Sequence, residues 1–272
     1  MRSHGVRFEC LRMRPHDHMG WTFAGPAEFA ALARPFLAEG AARGERLMYV
    51  ADDPDPAAVA GLAGPDVLQV ASIAEVYGSS GIVDAPGQRS AFAAALADAL
   101  AEGYSGLRVA ADNTPLVTDE GRLTAWIRWE VVADRFMSEN QVTGLCAFDR
   151  KKVDVGRLRH LATLHPLSSA TRPVPQFRLF ADAGDLRVEG EIDSFAVSQL
   201  RLALDILPPK TGVLVDLAVA TLRGGTALAG LGCLCEEGVA VTIRGGPAAI
   251  GDLRAPGRLP SEHLILQEAS RQ

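Results

Sequence analysis

The sequence predicts an α/β protein in which a mostly parallel β-sheet carries helices on both faces and a second, smaller α/β domain follows. Three observations predict this fold class. Short apolar runs alternate with helical patterns through residues 29–164, which is typical of parallel strands connected by helices. A stiff, proline-containing break at residues 171–175 separates this pattern from a second one. The 272 residues are 48% hydrophobic and 22% charged, so the chain can bury a sizeable core.

The first pattern opens with a predicted amphipathic helix. Apolar residues recur at helical spacing from Phe29 to Leu37, and Pro35 should kink or shorten this helix. Buried strands are predicted at residues 47–51, 67–71, 107–111 and 142–148, and further helices at residues 90–102, 123–137 and 155–164. We assign residues 1–170 to this first domain.

The second pattern begins with a hairpin signal, in which Ala183, Gly184 and Asp185 separate two apolar runs. Helices are predicted at residues 195–204 and 226–236, and strands at residues 212–216 and 239–243. Together these elements predict a small mixed α/β domain, which we assign to residues 176–272.

The charge and the N-terminal segment argue against several classes of partner. A net charge of -6 is unsuited to coating nucleic acid, which needs clustered lysine and arginine. Residues 1–7 lead into no apolar core of a signal peptide, and no uncharged apolar run reaches the roughly 18 residues of a membrane-spanning helix. The four cysteines lack the spacing of a disulfide scaffold. We therefore expect a cytoplasmic protein with no nucleic-acid or membrane partner.

Short motifs follow one another in a fixed order through residues 15–167. They are His18 leading into Trp21-Thr22-Phe23, Pro35-Phe36-Leu37, Gly44-Glu45, Met48-Tyr49-Val50, Tyr77, Asp112-Asn113-Thr114, Trp129-Glu130, Leu145-Cys146-Ala147-Phe148-Asp149-Arg150 and Leu164-His165-Pro166. In this order they resemble the MEDS family, a sensory domain named after methanogens, methylotrophs and a dichloromethane-responsive regulator. The resemblance implies a RecA-like outline and a sensor of small molecules such as hydrocarbon derivatives.

The nucleotide-binding motif of RecA-type ATPases is missing from the sequence. No G-x-x-x-x-G-K-[ST] stretch occurs, so we expect neither ATP as a cofactor nor ATP hydrolysis. Two alternatives to a non-catalytic sensor stay open. One is a pseudo-ATPase that binds nucleotide by other means. The other is an enzyme that uses His18, Asp112, Cys146 or His165, although no complete catalytic motif is present.

The candidate ligand-binding residues come from these motifs, because open α/β sheets bind ligands at the carboxyl ends of their strands. They are His18, Trp21, Tyr77, Asp112, Glu130, Cys146 and His165. Structural alternatives exist: Cys146 as a buried inert thiol, and Asp112 as a cap for the next element. A zinc site made of His16, His18, Cys146 and His165 is a further alternative. The four residues lack paired local spacing, so we predict no metal.

The second domain carries motifs of a different kind. They are Gly190-Glu191-Ile192-Asp193, Val213-Leu214-Val215-Asp216-Leu217 and the turn Arg223-Gly224-Gly225-Thr226-Ala227-Leu228. These resemble the STAS family, the anti-anti-sigma-factor type of signalling module, in which the turn usually reads Asp-Ser-Ser-Gly-Leu and its first serine is phosphorylated. Gly225 falls at that phospho-acceptor position, and Thr226 aligns with the second serine and is read as a helix cap.

The two resemblances together predict a non-catalytic signalling regulator. The first domain would receive a small-molecule or protein signal. The second would transmit it by docking to an anti-sigma factor, another STAS protein or a similar regulatory protein, and so act in transcription regulation. Because Gly225 has no hydroxyl, the usual phosphoryl switch is absent or displaced. Self-association into a homo-oligomer stays open.

Overall fold

A computed structural model of the chain describes residues 2–170, 174–207, 209–218, 222, 225–236, 238–254 and 263–269, with only the backbone of residues 225, 226, 228, 235 and 236. Most of the break predicted at residues 171–175 and the side chain of Thr226 therefore lie outside the described residues. The chain divides into two compact units, Met1–Pro175 and Gln176–Gln272. Each unit is built around its own β-sheet.

The first unit contains a sheet of seven strands in the order β1-β7-β2-β6-β5-β3-β4. Their bounds are β1 Gly5–Arg7, β2 His18–Phe23, β3 Arg46–Ala51, β4 Leu68–Ser72, β5 Leu107–Asp112, β6 Val142–Asp149 and β7 Leu167–Ser169. Every pairing is parallel. The prediction of a mostly parallel sheet is confirmed, and the carboxyl ends of its strands lie at one edge.

Helices connect these strands. Their bounds are α1 Pro26–Ala42, α2 Ile73–Tyr77, α3 Ala85–Ala101, α4 Glu120–Glu139 and α5 Val155–Thr163, with short 3-10 helices at Pro56–Val59 and Thr114–Val117. An aspartate begins each of α3, α4 and α5: Asp84, Asp119 and Asp154 accept a hydrogen bond from a backbone N–H of the first turn. Such caps satisfy a donor that would otherwise be orphaned, which explains where these helices start.

Two layers of helices cover the parallel sheet because side chains alternate along each strand. The core beneath α1 contains Phe29, Phe36, Met19, Tyr49 and Leu145. The opposite face meets α4, and the side chains that line a cavity there include Val109, Trp129, Met137 and Cys146. Consecutive residues of β6, such as Leu145 and Cys146, thus serve different layers.

Of the two effects expected of Pro35, a kinked or a shortened helix, the shortened helix is wrong. α1 continues for 17 residues through Pro35. Phe36 and Leu37, directly after the proline, are fully buried, as is Ala33 before it. This packing holds the helix on the sheet, while Pro35 itself lies on the exposed side, where water can satisfy the carbonyl that loses its donor.

The second unit contains a five-stranded mixed sheet in the order β12-β11-β10-β9-β8. Its elements are β8 Phe177–Asp182, β9 Asp185–Gly190, α6 Ser194–Ile206, β10 Val213–Leu217, α7 Gly225–Glu236, β11 Val241–Gly245, α8 Pro247–Arg254 and β12 Leu264–Glu268. The predicted hairpin is confirmed, because β8 and β9 pair antiparallel across Ala183 and Gly184, with φ of 50° and 95°. The other pairings are parallel.

The elements predicted from the sequence are present, with ends displaced by a few residues. No bounds were predicted from the sequence for β1, β2, β7, β12, α2 or α8. The three-residue strands β1 and β7 and the short helices α2 and α8 are too short to show a period. None of the described helices combines the length and the apolar character that crossing a membrane requires.

Candidate functional site

Four buried side chains converge in the first unit, on the face of the sheet beneath α4. They are His18 of β2, Glu130 of α4, Cys146 of β6 and His165 from the loop between α5 and β7. One nitrogen, oxygen or sulfur atom of each lies within 4.8 Å of the others. His18, Glu130 and His165 are fully buried and Cys146 is 8% exposed. We call these residues the buried cluster.

The sheet register brings β2 and β6 residues of the cluster together. The strands are parallel neighbours in which Gly20 lies opposite Cys146 and His18 opposite Gly144. His18 and Cys146 therefore share a face at diagonal positions. His165 lies over Gly20, which leaves room for its ring because a Cβ at position 20 would be 2.8 Å from Nδ1 of His165. The absent side chain at position 20 is thus part of the site.

Both imidazoles are oriented by hydrogen bonds from their outer nitrogens. His165 Nδ1 lies 2.8 Å from the carbonyl oxygen of Leu161, and His18 Nδ1 lies 3.0 Å from Oδ1 of Asp134. A carbonyl can only accept, so His165 carries a hydrogen on Nδ1, and an ionised Asp134 requires the same of His18. Both Nε2 atoms consequently face the buried cluster.

Asp134 follows Glu130 by one helical turn, and Arg2 keeps it ionised. The guanidinium approaches both carboxylate oxygens, with Nη1 2.9 Å from Oδ2 and Nη2 2.6 Å from Oδ1. Burial alone would raise the pKa of Asp134. The charge of Arg2 and hydrogen bonds from His18 and Arg2 outweigh it and hold the pKa well below its usual range. Asp134 is thus a permanent acceptor for the His18 ring.

The inward-facing atoms lie close together, and His18 Nε2 and Cys146 Sγ are within hydrogen-bond distance. His18 Nε2 is 3.4 Å from both Cys146 Sγ and Glu130 Oε2, and His165 Nε2 is 3.2 Å from Glu130 Oε1. Among the described residues, no well-aligned hydrogen-bond partner meets either oxygen of Glu130 or Nε2 of His165. Buried polar atoms are almost always satisfied, so this group is a candidate functional site.

The pKa values within the cluster diverge from their ordinary values. Burial lowers the pKa of His18, and the charge of His165 lowers it further. Burial also opposes a charge on His165 and on Glu130. Their mutual attraction is stronger, so the pKa of His165 is raised and that of Glu130 is lowered. Burial and the charge of Glu130 raise the pKa of Cys146. Burial and the neighbouring charges thus shift the pKa values of the two histidines in opposite directions.

An apolar cavity borders the cluster through Cys146. Its volume is about 20 Å³, room for about one water molecule. The lining includes Tyr77, Phe92, Val109, Trp129 and Cys146. Tyr77 packs edge-on against Trp129, and its pKa is raised well above its ordinary value, first of all by burial. Tyr77 is thus placed beside the cluster and not within it.

The structure leaves Trp21 and Asp112 out of this group. Trp21 packs against the core beneath α1, on the other face of β2 from His18. Asp112 ends β5, where its Oδ1 accepts a hydrogen bond from the Thr114 N–H at 3.0 Å, and burial raises its pKa. Ala110, which belongs to the core beneath α1, lies two residues before Asp112 on β5, so the Asp112 side chain is on that same face of the sheet. The alternation of side chains separates both residues from the cluster.

Sequence reasoning missed Asp134, Arg2 and the role of Gly20. Only Asp134 had an available signal, because Glu130 and Asp134 stand i, i+4 on a predicted helix and must share a face. The zinc site considered from the sequence included His16. The Nδ1 atom of His16 lies 3.2 Å from the Met137 carbonyl oxygen, and Glu130 rather than His16 is the fourth member of the buried cluster.

A family model matches most of the first unit. The family model that matches the chain is MEDS, described as the MEthanogen/methylotroph, DcmR Sensory domain, and it matches residues 17–166. That range is more than half of the chain and contains all members of the buried cluster. A search of curated proteins found no match.

Proposed function

Because the chain belongs to the MEDS family of sensory domains, we propose that it is a non-catalytic signalling regulator whose first unit responds to a small molecule. The observation that carries the proposal is the buried cluster beside an apolar cavity, both inside the family match. A few polar groups converging next to an apolar hollow form the usual architecture of a ligand site.

The cavity indicates what kind of molecule would bind. Its lining is mainly aromatic and aliphatic, and Cys146, Tyr77 and Trp129 are the lining residues whose side chains carry a thiol, a hydroxyl or an N–H. At about 20 Å³ it admits a ligand only if neighbouring side chains such as Phe92 move. A small hydrocarbon derivative with one polar group fits this chemistry, since its apolar part would replace no hydrogen bonds and its polar group would face the cluster.

We propose that the second unit transmits the response by docking to a protein. Its motifs resemble STAS modules, and its mixed sheet carries α6, α7 and α8. The partner would be an anti-sigma factor or a related regulator. Gly225 cannot accept phosphate, so control would come from the first unit.

A ligand screen with a matched pair of variants tests the sensory role. The probes are short alcohols, aldehydes and halogenated alkanes, and the readouts are the melting temperature and calorimetric binding to the full chain. Ala111→Val adds volume to the cavity lining, whereas Ala110→Val adds the same volume to the core beneath α1. We expect overpacking to lower the free energy of unfolding of each variant by a similar amount, about 1–3 kcal/mol.

We expect at least one probe class to bind the wild-type protein and the Ala110→Val variant, and to bind the Ala111→Val variant at least tenfold more weakly. Equal binding to both variants would place the ligand elsewhere and contradict the assigned site. No binding by any probe would contradict the proposed ligand class.

A further inference from the structure

The geometry points to a mononuclear metal site: we propose that His18, Glu130, Cys146 and His165 together bind one divalent transition-metal ion, zinc by preference. The donors are Nε2 of both histidines, a carboxylate oxygen and Sγ. This inference goes beyond the proposed sensory function, since the ion could be bound whether or not an organic ligand enters the cavity. It replaces the prediction of no metal made from sequence spacing alone.

The distances between the donors suit a single ion. Three of the separations, between His18 Nε2 and Cys146 Sγ, between His18 Nε2 and Glu130 Oε2, and between His165 Nε2 and Glu130 Oε1, are 3.4, 3.4 and 3.2 Å. Bonds of about 2.0 Å to nitrogen or oxygen and about 2.3 Å to sulfur give tetrahedral edges of about 3.3–3.6 Å. These three separations match such edges, and since all four donors lie within 4.8 Å of one another, an ion at the centre would draw the remaining donors closer together.

The surroundings of the two histidines match those of metal ligands. A metal-bound imidazole usually donates its other N–H to a carboxylate or a backbone carbonyl, which fixes the ring and the tautomer. Asp134 plays that part for His18, and the carbonyl of Leu161 plays it for His165. Arg2 in turn holds Asp134. Both rings thus turn Nε2 towards the other donors of the buried cluster.

The charge of the site favours a divalent cation. Glu130 is fully buried, and within the described part of the chain its oxygens have no well-aligned hydrogen-bond partner. A buried carboxylate whose contacts with His18 and His165 lack aligned hydrogen bonds recovers little of its desolvation cost. Metal binding requires that Cys146 lose its thiol proton to solvent and that both imidazoles be neutral, which leaves two neutral imidazoles and two anions. A divalent ion then makes the buried group neutral.

The donor types select the metal. Imidazole and thiolate favour zinc and its transition-metal neighbours over magnesium or calcium, which prefer oxygen ligands. Four protein donors in a buried position make a closed tetrahedral site of the kind in which zinc acts structurally. The ion would join β2, α4, β6 and the loop before β7, and so tie together elements distant along the chain.

The first experiment measures metal in the full chain, produced without a polyhistidine tag and purified without chelators. We expect elemental analysis to find about one zinc ion per chain, and X-ray absorption to find one sulfur at about 2.3 Å and three nitrogen or oxygen neighbours at about 2.0–2.1 Å. Replacement by Co²⁺ should give tetrahedral d–d bands and a thiolate charge-transfer band. A metal-free protein that takes up neither Zn²⁺ nor Co²⁺ at micromolar concentration would overturn the proposal, as would an absorption spectrum without sulfur.

The second experiment compares two cysteine variants. Cys146→Ser should abolish the charge-transfer band. It should also weaken zinc binding more than 100-fold, because loss of a residue that only hydrogen-bonds to a ligand already weakens metal binding about 10- to 100-fold. Cys10→Ser is the matched control, because Cys10 is also buried in the first unit but its Sγ lies 3.4 Å from the carbonyl oxygen of Leu32. This variant should keep both properties. Retention of the band by Cys146→Ser, or its loss from Cys10→Ser, would contradict the ligand assignment. If Cys146→Ser does not fold, the wild-type spectra decide.

Discussion

At the scale of single residues, the buried cluster depends on the absence of a side chain at Gly20. Gly20 lies under the His165 ring, and a Cβ there would come within 2.8 Å of Nδ1 and 2.9 Å of Cγ. The ring has little freedom to move away, because Nδ1 is bonded to the carbonyl of Leu161. The close approach of strand and ring therefore requires glycine at this position.

Gly20→Ala should destabilise the first unit by about 1–3 kcal/mol, the usual cost of overpacking a core. Urea unfolding followed by tryptophan fluorescence measures this cost. Gly64→Ala is the matched control, since its added Cβ would meet nothing within 4 Å, and it should change the stability little. Equal stability of Gly20→Ala and the wild type would show that His165 does not occupy the observed position.

At the scale of elements, an ionic network joins three neighbouring strands of the second sheet. Oδ2 of Asp216 on β10 accepts hydrogen bonds from Arg187 on β9, at 2.8 Å, and from Arg244 on β11. Arg187 also lies 2.6 Å from a carboxylate oxygen of Glu189. Burial would raise the pKa of Asp216, but the hydrogen bonds from Arg244, the Ala218 N–H and Arg187 lower it below its ordinary value.

This network should make the second unit sensitive to acid. Because the folded pKa of Asp216 is depressed, its contribution to stability is complete above the unfolded value, about 3.9, and is lost as the pH falls through the folded value. Hydrogen exchange of peptides from β9 to β11, measured between pH 6 and pH 2.5, should show that loss. Asp216→Asn should flatten the pH dependence, whereas Asp252→Asn, at an exposed position of α8, should leave it intact. Parallel profiles for Asp216→Asn and the wild type would contradict this role.

At the scale of the whole molecule, the chain consists of two compact units, each with its own sheet. We expect them to unfold independently, and the tryptophans provide a probe: Trp21, Trp126 and Trp129 all belong to the first unit. Tryptophan fluorescence should report that unit alone, while far-UV circular dichroism reports both.

Unfolding curves from the two probes should therefore not coincide, and limited proteolysis should cut first within residues 171–175. A nonspecific protease such as proteinase K suits the test, because Pro173 blocks tryptic cleavage after Arg172. Coincident transitions together with a resistant fragment spanning the break would show that the chain folds as a single cooperative unit.

The sequence by itself determined the α/β class, the hairpin around Ala183 and Gly184 and the order of most helices and strands. Those properties follow from local periodicity and turn chemistry, which neighbouring residues carry. It also supplied His18, Glu130, Cys146 and His165 as candidates. Only the tertiary structure decided that these four meet and that Trp21 and Asp112 lie on the other face. The reason is physical: the strand order β7-β2-β6 and the register of Gly20 with Cys146 result from packing between distant segments. A shift of one residue in that register would carry His18 to the opposite face of the sheet.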